Sequence, residues 1–227
     1  MLVLVGSGEY LPEVDPIDLE LFKRLGEPAK VVCLPTAAGK ESDRSVNSWM
    51  QKGIDHYTRL GAEVSALRVI NQETAGDQAH ADVINEANFV YMSGGDPGYL
   101  AQTLENTPVW EAILGVHQRG GIVAGCSAGA MIMGERIAGP GGNRPGFNLL
   151  PGAIIIPHFD EYPGIVNRVI RFFSDKSLNL VGIDGRTSLV VDGGKFEVLG
   201  RSSVSVMNGS GTQKFTQGEI PTEILQS

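Results

Sequence analysis

The stretch "GGIVAGCSAGAMIMGE", Gly120 to Glu135, interrupts one apolar run, Ile122 to Ala124, with Gly125-Cys126-Ser127-Ala128-Gly129 and then resumes as Ala130 to Met133. The spacing G-x-S-x-G predicts a sharp strand-to-helix turn in which Ser127 takes a strained backbone conformation and tips its hydroxyl outward. Gly125 and Gly129 would be small because the strand and helix backbones nearly touch there. The same residues also suit an ordinary glycine-rich turn at a helix N-terminus, which could meet a phosphate. They match neither G-x-G-x-x-G nor the lysine-bearing P-loop. The turn alone leaves nucleophile and structural turn both open.

Working outward, "LVLVGSGE", "AKVVCLPTAAG" and "ANFVYMSGGDPG" repeat the pattern of a short apolar run closed by small residues. Between them lie segments of helical spacing: Leu19, Leu21, Phe22 and Leu25, then Trp49 to Leu60, then Leu100 to Leu104. Strand, turn and helix in alternation predict an α/β fold, a mostly parallel sheet flanked by helices on both faces. In such sheets, sites gather outside the carboxyl ends of the strands. The last fifty residues change character, and "TSLVVDGGKFEVLGRSSVSVMNG" predicts a C-terminal β-hairpin region with a Gly-Gly turn. With neither a linker nor an internal repeat, residues 1–227 read as one domain.

The 227 residues are 42% hydrophobic and 19% charged, with no low-complexity block, which fits a globular protein with a sizeable core. The longest apolar runs are too short to cross a bilayer, so no membrane association is expected. "MLVLVGSGEY" lacks a basic n-region and a cleavage site and reads as a first strand, making the cytoplasm the expected location. A net charge of -8 without a basic stripe argues against nucleic acid. Cys33 and Cys126 are expected as buried free thiols. No Cys or His pair has metal-ligand spacing, and neither a metal nor another cofactor is expected.

A serine nucleophile needs a base. His56 and His80 sit among polar neighbours and read as solvated surface residues, and His117 falls late in a helix, where a cation is ordinary. His158 differs. It follows the apolar strand "GAIIIP", which would bring it to the same sheet edge as Ser127. Acyl transfer also needs amide donors for an oxyanion. The turn "YMSGGDPG" offers Gly95, or Gly94, to join Ala128, although the same glycines also suit a turn that needs left-handed angles.

Together "SGGD", "AGCSAGAMIMGE", "PHFD", "GIDGRTSLVV" and "VLG" resemble the cyanophycinase and dipeptidase E family of serine peptidases, peptidase family S51, which shares a fold with class I glutamine amidotransferases. The resemblance runs from "GSGE" through "LPTA" to the final strands. It implies a Ser-His-acid hydrolase on a flavodoxin-like sheet, with Ser127 as nucleophile and His158 as base. It also implies substrates with peptide bonds beside aspartate, and places Asp96 at the substrate. Two departures stand out. Cyanophycinases usually carry Gln where this chain has Pro97, and a Glu supporting the histidine where it has Gly185.

The third member is therefore open. Glu135, the acid between nucleophile and histidine, would lie about 12 Å down the elbow helix and is poorly placed. Asp160, at H-x-acid spacing from His158, is preferred over Asp184, which ends the run "LVGI". After His158, Arg168 and Arg171 in "RVIR" share a helix face. A similar pair in cyanophycinases resembles a clamp for an aspartyl carboxylate, and a solvated face is the alternative. The expected function is hydrolysis of a small peptide or amide beside an acidic residue, with a small peptide as partner and a homodimer allowed. The competing expectation is a non-catalytic relative that binds a small metabolite or a partner protein. An amidotransferase would need Cys at position 127, and Cys126 stands one place early.

Overall fold

Five strands form the parallel part of an eight-stranded sheet in a computed structural model that describes residues 1–139, 144–161, 178–209 and 211–225. They are β1 (Leu2–Val5), β2 (Lys30–Leu34), β3 (Glu63–Ala66), β4 (Phe89–Met92) and β5 (Ile122–Cys126). Side chains alternate across a strand. Leu2 and Leu4 therefore enter one core with Val32, Val90 and Val123, while Val3 and Val5 enter another with Val31, Phe89 and Ala124. Burial on both faces is why β1, β2, β4 and β5 read as continuous apolar runs, whereas β3, at the sheet edge, is partly exposed and mixes Glu63 and Ser65 with Val64 and Ala66.

Helices cover both cores. Helices α1 (Asp15–Leu25) and α2 (Asp43–Arg59) bring Ile17, Leu21 and Tyr57 to the second core. Following the short α3 (Gln72–Ala75), helices α4 (Gln78–Asn85), α5 (Pro97–Leu104) and α6 (Pro108–Gln118) bring Ile84, Leu100, Leu104, Ile113 and Val116 to the first. Their starts follow capping chemistry: the Ser42 hydroxyl accepts from the Ser45 amide before α2, and Thr107 with Pro108 opens α6. His56, expected on the surface, is buried between α1 and α2. Its Nε2 lies 2.8 Å from Asp18 Oδ2, and burial raises the Asp18 carboxyl above the ordinary range. The inward face of α1 carries Ile17, Asp18 and Leu21, so a polar partner for His56 sits in the apolar stripe, while Leu19 turns outward.

After β5 the four-residue helix α7 (Ala128–Met131) is too short to return the chain across the sheet. The chain instead enters β6 (Gly134–Ile137), β7 (Arg144–Pro145), β8 (Leu150–Ile156) and β9 (Asn179–Ile183), which belong to a second, six-stranded sheet. "GAIIIP" is thus mostly β8, between β6 and β9, and does not share a sheet with the Ser127 strand as its apolar run suggested. The turn 184–186 carries the chain back. Strands β10 (Thr187–Asp192) and β11 (Lys195–Gly200) extend the larger sheet antiparallel, joined by Gly193 and Gly194 at φ 55° and 80°, the left-handed pair that a tight hairpin requires. Strands β12 (Val204–Asn208) and β13 (Gly211–Phe215) complete the second sheet, and β14 (Gly218–Ile220) edges the first. No helix among the described residues is long and apolar enough to cross a membrane.

Candidate active site

Ser127 joins β5 to α7 with φ 51° and ψ −107°, a conformation that side chains other than glycine rarely adopt. The surrounding contacts hold it there. A Cβ on Gly125 would lie 2.4 Å from the Gly129 carbonyl carbon, and one on Gly129 would lie 2.4 Å from the Met92 carbonyl oxygen. The strand and helix backbones touch at both glycines, as the motif predicted. Gly129→Ala is expected to cost about 1–3 kcal/mol of stability through overpacking. Urea unfolding measures this, and an unchanged midpoint would contradict the close approach.

His158 reaches this hydroxyl from the end of β8. Its Nε2 is 3.0 Å from Ser127 Oγ, and its Nδ1 is 2.9 Å from Glu161 Oε2. A carboxylate only accepts, so Nδ1–H donates to Glu161 and Nε2 is left to accept from the serine hydroxyl. The acid at the histidine is therefore neither Asp160 nor Asp184. His158 has φ 53°, and the Glu161 amide donates to the His158 carbonyl at 3.0 Å. The chain turns at His158 and does not continue extended, which brings the residue three along beside the ring in place of the residue two along. Asp160 Oδ1 instead accepts from the Gly185 amide at 2.7 Å. Asp184 is buried and turned toward the segment before β12, where it accepts from the hydroxyls of Ser202 and Ser203. Glu135 accepts from the Gly152 amide.

The other oxygen of Glu161 accepts from the Ser7 hydroxyl at 2.6 Å. The Ser7 bond first, and His158 second, hold the Glu161 carboxyl below the ordinary glutamate range. It thus remains an anion on the acidic side of neutrality, where a free glutamate would begin to protonate. Sequence reasoning missed Glu161, Ser7 and the neighbouring Glu9. The signal for the first was present as the adjacent acids of "HFDE".

Two glycine turns flank the hydroxyl. Gly94 lies close enough that a Cβ on it would be 3.3 Å from the Ser127 Cβ. Its amide donates to Glu9 Oε1 at 3.1 Å. The amides of Gly95 and Ala128 make no such bond among the described residues. Gly95 also serves the turn, with φ 146° and the Ala37 carbonyl oxygen 2.4 Å from where a Cβ would stand. Asp96 caps α5 by accepting from the Tyr99 amide, and Pro97 occupies the first helical position. Arg168 and Arg171 lie outside the described residues.

The thiol of Cys126 is buried and donates to Glu9 Oε2 at 3.0 Å. Both cysteines are free and buried, and burial pushes the Cys33 thiol up to about 12. Among the described residues no cluster of His, Cys, Asp and Glu could hold a metal ion.

The profile of peptidase family S51 matches residues 2–199. The chain is 25% identical to the cyanophycinase of Geminocystis herdmanii over 218 residues, covering 87% of this chain and 76% of that one. It is 31% identical to the cyanophycinase of Trichormus variabilis over 171 residues, which span 67% of this chain and 56% of the relative. Among solved structures, a peptidase from an acI-B1 Actinobacterium superposes with a TM-score of 0.84 at 34% identity, over 96% of this chain and 95% of that one. A Listeria monocytogenes protein shares the fold, with a TM-score of 0.68 at 22% identity. The strained serine turn and the histidine beside it thus occur in a chain whose length is matched almost throughout by one family of serine hydrolases: the protein belongs to peptidase family S51.

Proposed function

We propose that this peptidase cleaves a small peptide or amide through a covalent acyl-serine intermediate. Ser127 Oγ attacks the scissile carbonyl carbon while His158 Nε2 takes the hydroxyl proton. The carbonyl electron pair moves onto oxygen, where the amides of Gly95 and Ala128 receive it. Collapse expels the amine, which leaves with the proton from His158, and water then releases the acid by the same path. Glu161 holds the tautomer of His158 and balances the imidazolium. The observation that carries this reading is the 3.0 Å approach of His158 Nε2 to the hydroxyl of a serine held at φ 51°.

For the substrate we propose an acidic, aspartyl residue beside the scissile bond. The similarity to cyanophycinases supports it, together with the expectation from sequence that Arg168 and Arg171 bind a carboxylate. The test is kcat/KM for Asp-containing dipeptides against their Ala and Asn analogues, in wild type, Arg168→Ala and Arg171→Ala. Each variant is expected to lose about tenfold to a hundredfold on acidic substrates alone, the range of a lost charge-assisted bond. An equal fall on neutral substrates, or none on acidic ones, would reject the assignment.

A further inference from the structure

Three turns from distant parts of the chain meet at the Glu161 carboxylate. Ser7 follows β1, Glu161 follows His158, and Gly185 lies between β9 and β10. The Ser7 hydroxyl donates to one carboxylate oxygen at 2.6 Å, and the other faces His158 at 2.9 Å. Glu161 is 44% exposed in its side chain, whereas Ser7 is 6% exposed. An exposed glutamate has three side-chain torsions to hold still, and water competes for both oxygens. A histidine alone fixes neither the tilt of the carboxylate nor its reach.

Gly185 forms the remaining wall. A Cβ there would stand 2.8 Å from both Glu161 Oε1 and Ser7 Oγ, so the carboxylate occupies the space that a side chain would take. The backbone of the wall is itself tied down. The Gly185 amide donates to Asp160 at 2.7 Å, and the Arg186 amide donates to the Ser7 carbonyl at 3.0 Å. Asp160 thus fastens the wall beside Glu161.

We propose that Ser7 is a positioning residue for catalysis: its hydroxyl and the bare backbone of Gly185 form a seat that holds the Glu161 carboxylate against His158. This rests on the triad reading above. Ser7 touches no reacting atom, so its loss acts on kcat and leaves KM in place.

The experiment measures kcat and KM on an Asp-containing dipeptide for Ser7→Ala, Glu161→Gln, their double variant, Ser7→Thr and Gly185→Ala, with a melting curve for each. Ser7→Ala is expected to lower kcat by about tenfold to a hundredfold, the span of a hydrogen bond to a charged group, at unchanged KM. In the Glu161→Gln background the same substitution should add no further loss, because partners that act as a unit are not additive. Ser7→Thr retains the hydroxyl and should recover most of the activity that Ala loses. Gly185→Ala should lower kcat, since its Cβ would displace both the Glu161 carboxylate and the Ser7 hydroxyl, and the melting curve separates that loss from unfolding. Equal losses from Ser7→Ala in both backgrounds would overturn the inference, as would wild-type kcat in Gly185→Ala. If Glu161→Gln lowers kcat and Ser7→Ala does not, the seat alone is refuted. If Glu161→Gln has wild-type kcat, the triad reading fails, and this inference with it.

Discussion

Ser127→Ala is expected to lower kcat by about 10³ to 10⁶, because loss of a triad nucleophile removes the covalent path as a whole. The substitution should leave the fold in place. Ser127 is half-buried and its side chain does not cap α7, so the loss of one hydroxyl opens no core cavity. Alanine must still adopt φ 51°, and it inherits the strain that serine already bears. The melting temperature should therefore stay near wild type while turnover vanishes. Substantial turnover by the alanine variant would remove the serine from the chemistry.

Glu161→Gln should cost on the order of 10² to 10⁴ in kcat, as when a triad acid becomes its amide and the wrong histidine tautomer is favoured. The amide is nearly the same shape, so the effect isolates charge and hydrogen-bond polarity. Only the carboxylate accepts on both sides, from Ser7 and from His158 Nδ1, and only the anion balances an imidazolium. Asp160→Asn is the control: its Oδ1 accepts from the Gly185 amide, a bond that an asparagine carbonyl can still accept. A smaller loss is expected there. If Asp160→Asn proved the more damaging of the two, the acid would have to be reassigned.

The alternation of apolar runs with small-residue turns revealed the parallel sheet, and Gly125, Ser127 and Gly129 revealed the elbow, because those features are local. A glycine required by a backbone contact and a run buried on both faces leave their mark in adjacent residues. The second sheet was harder to read. Nothing within "GAIIIP" records whether an apolar strand pairs beside β5 or in a separate layer; that depends on α7 ending after one turn. The acid was missed for a related reason. Counting H-x-acid assumes that the chain runs straight past His158, and one left-handed residue there replaces Asp160 with Glu161. Ser7 lies 154 positions from Glu161, and only tertiary structure joins them. Gly185 looked like the loss of a supporting glutamate; in the fold it is the space that a carboxylate from another turn fills.

Covalent labelling tests the central claim most directly. The protein is treated with a fluorophosphonate, digested, and the modified residue located by mass spectrometry in wild type, Ser127→Ala and His158→Ala. A nucleophile activated by the neighbouring imidazole should carry the phosphonate on Ser127 at full stoichiometry, with no label in the alanine variant and much slower labelling without His158. Label on a different residue, or a wild-type protein that remains unmodified while fully folded, would contradict the account.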